Sequence, residues 1–154
     1  MRFLEKLASL FWPKTEEYND TVFGMLRRIG SGDWQGTVPF HHGPTQATSF
    51  SLLIAANDGP PTEEQGRLFQ EVLSRYAELW PRIGDALARY RAEHEQLDVI
   101  ASHISDSCIC LQPLIPGQPR RWSMQYTISY PSEGDMAYFV DLCEWDIEDV
   151  DAAD

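Results

Sequence analysis

Three cysteines and one nearby histidine are the residues of this sequence best suited by type to bind a metal ion. Cys108 and Cys110 are separated by one residue, with His103 upstream and Cys143 far downstream. Structural zinc sites usually place two to four residues between paired cysteines, whereas one intervening residue on a strand directs both thiols to the same face. We therefore predict that these cysteines pack as small hydrophobic residues and that the protein has neither a metal site nor a cofactor.

The number and setting of the cysteines also indicate a cellular compartment. Three is an odd number, and the first 30 residues carry no secretory pattern because Glu5 and Lys6 interrupt the apolar run. We therefore expect reduced thiols and a cytoplasmic protein.

Residue types suited to catalysis occur, but not in catalytic arrangements. His41 and His42 lie in a Gly/Pro-containing loop, and no Ser or Cys nucleophile motif accompanies them. The set His103, Asp106 and Ser107 has the composition of a hydrolase triad, yet its order and spacing match no nucleophile elbow. Phosphate-binding glycine patterns are also missing from the sequence. We predict a protein that is not an enzyme and has no catalytic residue, with a small hydrolase as the least favoured alternative.

The charge favours one class of partner and disfavours two others. Among 154 residues, 24 are acidic and 12 are basic, which gives a net charge of −12. Such a charge repels nucleic acid and anionic membranes and attracts a basic protein. Seven acids and no base lie between residues 141 and 154. This segment is predicted to be either a solvated terminus or an acidic docking surface. The candidate partner-binding residues are six of its acids and one aromatic: Asp141, Glu144, Trp145, Asp146, Glu148, Asp149 and Asp151.

Strand patterns dominate the first third of the chain after an amphipathic segment at residues 1–13, which predicts a short N-terminal helix docked on the domain. The residues from Thr21 to Ile29 and from Trp34 to Phe40 flank a Gly-rich turn and predict a hairpin. The run from Ala47 to Ala56 has apolar residues on both faces and predicts a more central strand.

One long helix is the clearest element of the sequence. Thr62-Glu-Glu-Gln65 is a capping box, and apolar residues then recur every three or four positions to about Glu93. A straight helix of that extent would be roughly 48 Å long, whereas a domain of this size has a radius of gyration near 15 Å. Because Pro81 removes a helical hydrogen bond, we predict a bend at Trp80-Pro81 or a break there into two helices.

Three further strands are predicted after this helix, over residues 104–114, 121–130 and 136–145, before the acidic tail at 146–154. The order is therefore short helix, three strands, a long bent helix or helix pair, and three strands. Strands and helices segregate along the chain, which favours a single α+β domain over residues 1–154. In it, an antiparallel sheet packs against the helix, without a βαβ winding.

One stretch of the sequence is similar to a known group of proteins. The run Asp33-Trp34-Gln-Gly36-Thr-Val38, its alternating strand and the capping box opening a helix with Phe69 resemble a group of uncharacterised bacterial domains. Members of that group look like immunity proteins of polymorphic toxin systems. The resemblance covers roughly residues 21 to 130 and implies a bacterial protein that binds and neutralises a basic toxin. A scaffold or regulatory module with another protein partner is the alternative, and the oligomeric state stays open.

Overall fold

The computed structural model describes residues 16–30, 32–39, 49–94 and 103–153, which form an α+β fold. The predicted N-terminal helix and the loop histidines His41 and His42 lie outside these residues. None of the helices described is long and apolar enough to cross a membrane. The elements are β1 Glu17–Asp20, β2 Gly24–Ile29, β3 Asp33–Pro39, β4 Ser49–Ala55, α1 Glu63–His94, β5 His103–Leu111, β6 Arg121–Tyr130, β7 Gly134–Cys143 and β8 Asp146–Ala153.

The eight strands form one sheet in which spatial order follows chain order. All neighbours are antiparallel except β4 and β5, which are parallel. The prediction of an antiparallel sheet without a βαβ unit is therefore wrong at its centre. Parallel neighbours need a connection that returns the chain to the starting edge, and α1 is that connection. The number of strands predicted on either side of the helix does not indicate that the helix joins two adjacent strands.

The predicted hairpin near the start of the chain is confirmed. β2 and β3 are antiparallel, with Leu26 opposite Gly36. A Cβ atom on Gly36 would stand only 2.8 Å from Cδ2 of Leu26, so a larger residue at this position would require the Leu26 side chain to move. Gly30 has φ of +58°, a left-handed conformation that suits the turn after β2.

Two strands lie in segments that were not predicted to be strands. β1 occupies part of a polar stretch, and β8 occupies most of the acidic tail. The expectation of a solvated terminus over 146–154 is therefore wrong for residues 146–153. Ile147, Val150 and Ala152 of β8 pack against the core, while the intervening acids leave few apolar residues to mark the strand in the sequence.

The helix is continuous from Glu63 to His94, so the predicted break into two helices is wrong. A sheet of eight strands spaced about 4.8 Å apart is roughly 34 Å wide, so most of a helix about 48 Å long can lie against it. The radius of gyration, on which the predicted bend was based, does not take this width into account. Pro81 is exposed, and so is Ala77, the residue whose carbonyl loses its usual helical donor. Water can therefore satisfy that carbonyl without ending the helix.

The helix packs on one face of the sheet. Its buried stripe includes Leu68, Val72, Tyr76 and Ile83, which meet the inward residues of the strands. The opposite face is covered by no other element among the described residues, and we call it the open face. Its central and outer positions, read from the strand register, include Ser51, Leu53, Cys108, Cys110, Ser123, Gln125, Phe139, Asp141, Asp149 and Asp151.

Gln65 joins the start of the helix to the parallel strands. The capping box is confirmed, because the Thr62 amide donates to Gln65 Oε1 at 2.9 Å and the Gln65 amide donates to Thr62 Oγ1 at 3.2 Å. The Gln65 side-chain amide also donates to the carbonyls of Ala55 at 2.8 Å and Gln112 at 3.1 Å. These carbonyls lie at the ends of β4 and β5, so one fully buried side chain connects three elements.

We predict that Gln65→Met lowers the free energy of unfolding by about 3 kcal/mol, because it leaves two buried carbonyls without donors. Gln70→Met, the same change at an exposed position of α1, should alter it by less than about 0.5 kcal/mol. Urea denaturation followed by circular dichroism measures both. Equal stability of the two variants would contradict the linking role of Gln65.

Candidate functional site

The predicted partner-binding residues all lie on or between β7 and β8, but the structure divides them into two groups. Glu144, Trp145 and Asp146 are at the turn that joins the strands, on the side of α1. Asp141, Glu148, Asp149 and Asp151 lie along the strands, and we call them the acidic patch. The first group is engaged in contacts within the protein; in the second, Asp141, Asp149 and Asp151 lie on the open face, whereas Glu148 pairs with Arg121.

Glu144 is held by Arg120 at the turn. Arg120 donates from Nε and Nη2 to Glu144 Oε2 at 2.9 and 2.8 Å, and its amide donates to Oε1 at 2.9 Å. These hydrogen bonds lower the pKa of Glu144. Arg120 also donates to Glu71 of the helix at 3.0 Å. Since Glu144 has a φ of +52°, the arginine also fixes an unusual turn conformation.

Trp145 is half-buried among cationic and aromatic side chains. Arg75 and Arg120 lie 4.1 and 5.7 Å from its ring centre. Trp122 makes an edge contact with it at 5.9 Å between ring centres. The carbonyl of Trp145 accepts a hydrogen bond of 2.8 Å from Arg82. Its ring therefore fastens the hairpin to the helix instead of standing free for a partner.

Two more acids have arginine partners. Asp146 pairs with Arg82 at 3.3 Å, and Glu148 pairs with Arg121. Arg120 and Arg121, which are adjacent in the chain, thus both pair with carboxylates of the β7–β8 hairpin.

Helix residues that fasten this hairpin carried no local sequence signal. Three helix residues make these contacts: Glu71, Arg75 and Arg82. Arg75 follows Glu71 by four residues and Arg82 follows it by eleven, which places all three on one side of an α-helix. That spacing shows that they share a face, but it does not show that the face meets the β7–β8 turn.

Negative charge is concentrated in the acidic patch. Asp141 lies directly opposite Asp149 in the register of β7 and β8, and Asp151 lies opposite Phe139. Burial, followed by the charges of Asp149, Asp151 and Glu148, raises the pKa of Asp141. The patch borders a groove of about 450 Å³ that also includes Arg121 and Ser123.

Asp149 and Asp151 are ordered by their own strand. Each accepts a hydrogen bond at its Oδ1 from the following backbone amide, at 2.9 Å from Val150 and 2.8 Å from Ala152. A hydrogen bond from a backbone amide orients a carboxylate without neutralising its charge. The two carboxylates therefore hold their charge in a fixed position on the open face.

The hydrolase-like set on β5 does not assemble into a triad. Ser107 is buried in register with the core residue Tyr126, whereas Asp106 pairs with Thr127 on the other face. Asp106 accepts a hydrogen bond from the Ser107 backbone amide at 2.9 Å, not from its hydroxyl. His103 is exposed at the start of the strand. The side chains that would have to cooperate therefore point in different directions.

The cysteines behave partly as predicted. All three are free thiols, and Cys108 and Cys110 share the open face, with Cys110 buried and Cys108 half-buried. Their Sγ atoms are 3.8 Å apart. In the part of the chain that the structure describes, no three His, Cys, Asp or Glu side chains are grouped to hold a metal.

Comparisons of the chain with protein-family models, with curated proteins and with solved structures find no match. The resemblance to immunity proteins therefore stays a prediction from sequence patterns.

We predict that Arg120→Met destabilises the protein by about 1–2 kcal/mol at neutral pH, because Glu144 loses its partner. Arg67→Met is the matched control, since Arg67 forms an exposed pair with Glu63 along the helix and should contribute little.

The effect of Arg120→Met should depend on pH. A carboxylate with a lowered folded-state pKa stabilises the protein above its unfolded-state value, ordinarily 4.5, and loses this contribution as the pH falls through the folded value. Unfolding measured at pH 7 and near pH 3.5 should therefore show a smaller difference between wild type and variant at the lower pH. A difference that grows with acidification would contradict the role of Glu144.

Proposed function

We propose that this protein binds a basic protein partner through the acidic patch on its open face and does not act as an enzyme. The observation that carries the proposal is the position of Asp141, Asp149 and Asp151 close together on a sheet face that no other described element covers. Burial, and after it the like charges of Asp149, Asp151 and Glu148, raise the pKa of Asp141, so part of that rise reflects repulsion among the carboxylates. A cationic surface placed against them would relieve that repulsion.

The chemistry of the surface favours a macromolecule over a small ligand. Small-molecule sites are concave and mostly apolar, with a few polar groups that converge. The groove beside the acidic patch is lined mainly by charged and polar side chains, including carboxylates on adjacent strands. A protein partner with a complementary positive surface fits such a charged area, and the net charge of −12 adds long-range attraction.

Neutralisation of a basic toxin domain is the specific form of this function that the sequence resemblance suggests. An inhibitor of that kind has to find its target quickly, and electrostatic steering increases association rates. The charged groups on the open face serve this purpose while the helix face maintains the fold.

We predict that Asp149→Asn with Asp151→Asn slows association with a basic ligand and reduces its salt dependence. Exposed charges are screened beyond about 8 Å at physiological ionic strength, so the effect belongs mainly to the association rate. Immobilised oligolysine serves as a first probe in surface plasmon resonance at low and physiological salt. Partners captured from cell extract at low salt are then measured in the same way.

The matched control is Glu78→Gln with Asp85→Asn, which removes the same number of charges from the exposed side of α1. The proposal requires the β8 variant to lose clearly more binding than this control for a captured protein. Equal losses would mean that only net charge matters, and binding of a captured partner with no loss in the β8 variant would place the interface elsewhere.

A further inference from the structure

β8 forms the edge of the sheet beside the acidic patch. Among the described residues no strand lies beyond it, because it comes last in the spatial order from β1 to β8. Its pairing with β7 shifts register between Asp141 and Leu142, so the regular part of this edge runs from Asp149 to Ala153. An edge strand presents backbone groups that can pair with another chain.

The register shows which backbone groups of β8 point out of the sheet. The Glu144 amide donates to the Arg120 carbonyl at 2.7 Å, so even-numbered residues along β7 bond towards β6. Odd-numbered residues of β7 therefore bond towards β8, and the partners of Val150 and Ala152 in β7 are even-numbered. The amides and carbonyls of Val150 and Ala152 consequently point away from β7, towards the free edge.

The two outward amides are occupied by side chains of their own strand. Val150 donates to Asp149 Oδ1 at 2.9 Å, and Ala152 donates to Asp151 Oδ1 at 2.8 Å. Both carboxylates are exposed. A strand whose carbonyls faced these amides would replace the carboxylates and release them. The exchange favours a strand that brings basic side chains, since the released carboxylates then gain ion pairs.

A groove of about 630 Å³ runs between β8 and the second half of α1. Ala86, Tyr90, Ile147 and Val150 are its apolar and aromatic lining residues, and charged side chains of both signs line the rest. Successive side chains of an added strand point to opposite faces of the sheet. Every second side chain would therefore enter this groove, and the others would lie beside the acidic patch.

We propose that the β8 edge binds an extended segment of the basic partner as an added antiparallel strand in which basic and apolar side chains alternate. The amides of Val150 and Ala152 donate to its carbonyls, and its basic side chains pair with Asp149 and Asp151. Its apolar side chains enter the groove beside α1. This inference rests on the proposed function and specifies how the partner is held. Antiparallel pairing is the commoner and slightly more stable arrangement.

A second copy of this chain fits the same edge poorly. Its own β8 would bring acids against acids, and like charges on neighbouring strands destabilise their pairing. The charges that discourage pairing with an ordinary strand thus select a basic one.

The test uses fluorescein-labelled Lys-Val-Lys-Val-Lys amide, a probe that matches residues 149–153. In the antiparallel register its valine amides face β8 and its lysine amides face solvent. We expect N-methylation of both valines to weaken binding at least about tenfold, since two backbone hydrogen bonds are lost. N-methylation of the second and third lysines is the matched control and should leave the affinity nearly unchanged. Fluorescence anisotropy with the full-length chain at low salt measures all three probes.

The same probes separate this inference from the proposed function. The added strand is wrong, and the acidic patch stands, if both methylated probes bind as the parent does while Asp149→Asn with Asp151→Asn weakens all three. The same conclusion follows if wild type binds oligolysine but not the parent probe. If the double variant binds the parent probe as tightly as wild type does, both proposals are contradicted.

Hydrogen exchange on wild type gives a second measurement that needs no variant. Saturating parent probe should slow exchange of the Val150 and Ala152 amides. The Val22 amide is the matched control, because it also donates to an aspartate carboxylate, that of Asp20 at 2.7 Å, and its exchange should not change. Slow exchange of Val150 and Ala152 in the free protein, together with a dimeric mass in sedimentation, would place a second copy at the edge and overturn the proposal.

Discussion

The parallel pairing of β4 and β5 is the constraint on which the rest of the fold depends. Every other neighbouring pair of strands can be joined by a turn or a short loop, but this pair needs a crossover. The long helix supplies it, and Gln65 ties the first turn of that helix to the carbonyls that end both strands. Because the amide is fully buried, its hydrogen bonds form away from competing water, and their loss is costly.

The crossover also decides how the sheet is used. One helix covers one face of the sheet. The core between them includes hydroxyl groups as well as apolar side chains. The hydroxyls of Tyr76 and Tyr126 form a hydrogen bond of 2.7 Å, and so do the hydroxyls of Tyr130 and Tyr138; both bonds are buried. The rings bury a large apolar area, and each hydroxyl has the other tyrosine of its pair as a hydrogen-bond partner. The remaining face carries the acids and the thiols, so fold and proposed function occupy opposite sides of a single sheet.

The positions of the arginines distinguish two kinds of acidic residue: those paired within the protein and those whose charge is exposed on the open face. Arg120, Arg82 and Arg121 bind the acids at the β7–β8 turn and at the start of β8. Arg82 and Arg120 thereby attach this hairpin to the helix, and Arg121 attaches β8 to β6. Asp149 and Asp151 instead accept hydrogen bonds from adjacent backbone amides of their own strand. Charge along an edge strand also discourages pairing with other chains, so these acids protect the exposed edge of the sheet.

Local patterns in the sequence determined the elements whose physics is local. The capping box from Thr62 to Gln65, the β2–β3 hairpin and the alternating strand from Arg121 to Tyr130 follow from hydrogen bonds and periodicities that span a few residues. The α+β class and the shared face of Cys108 and Cys110 follow in the same way, since side chains two apart on a strand point together. Tertiary structure alone decided that β4 and β5 are parallel neighbours, that Pro81 lies within one helix and that most of the acidic tail is an edge strand. It also separated Glu144 and Trp145 from the acidic patch. Each of these features depends on contacts between residues far apart in the chain, such as Arg120 with Glu71, which no local pattern encodes.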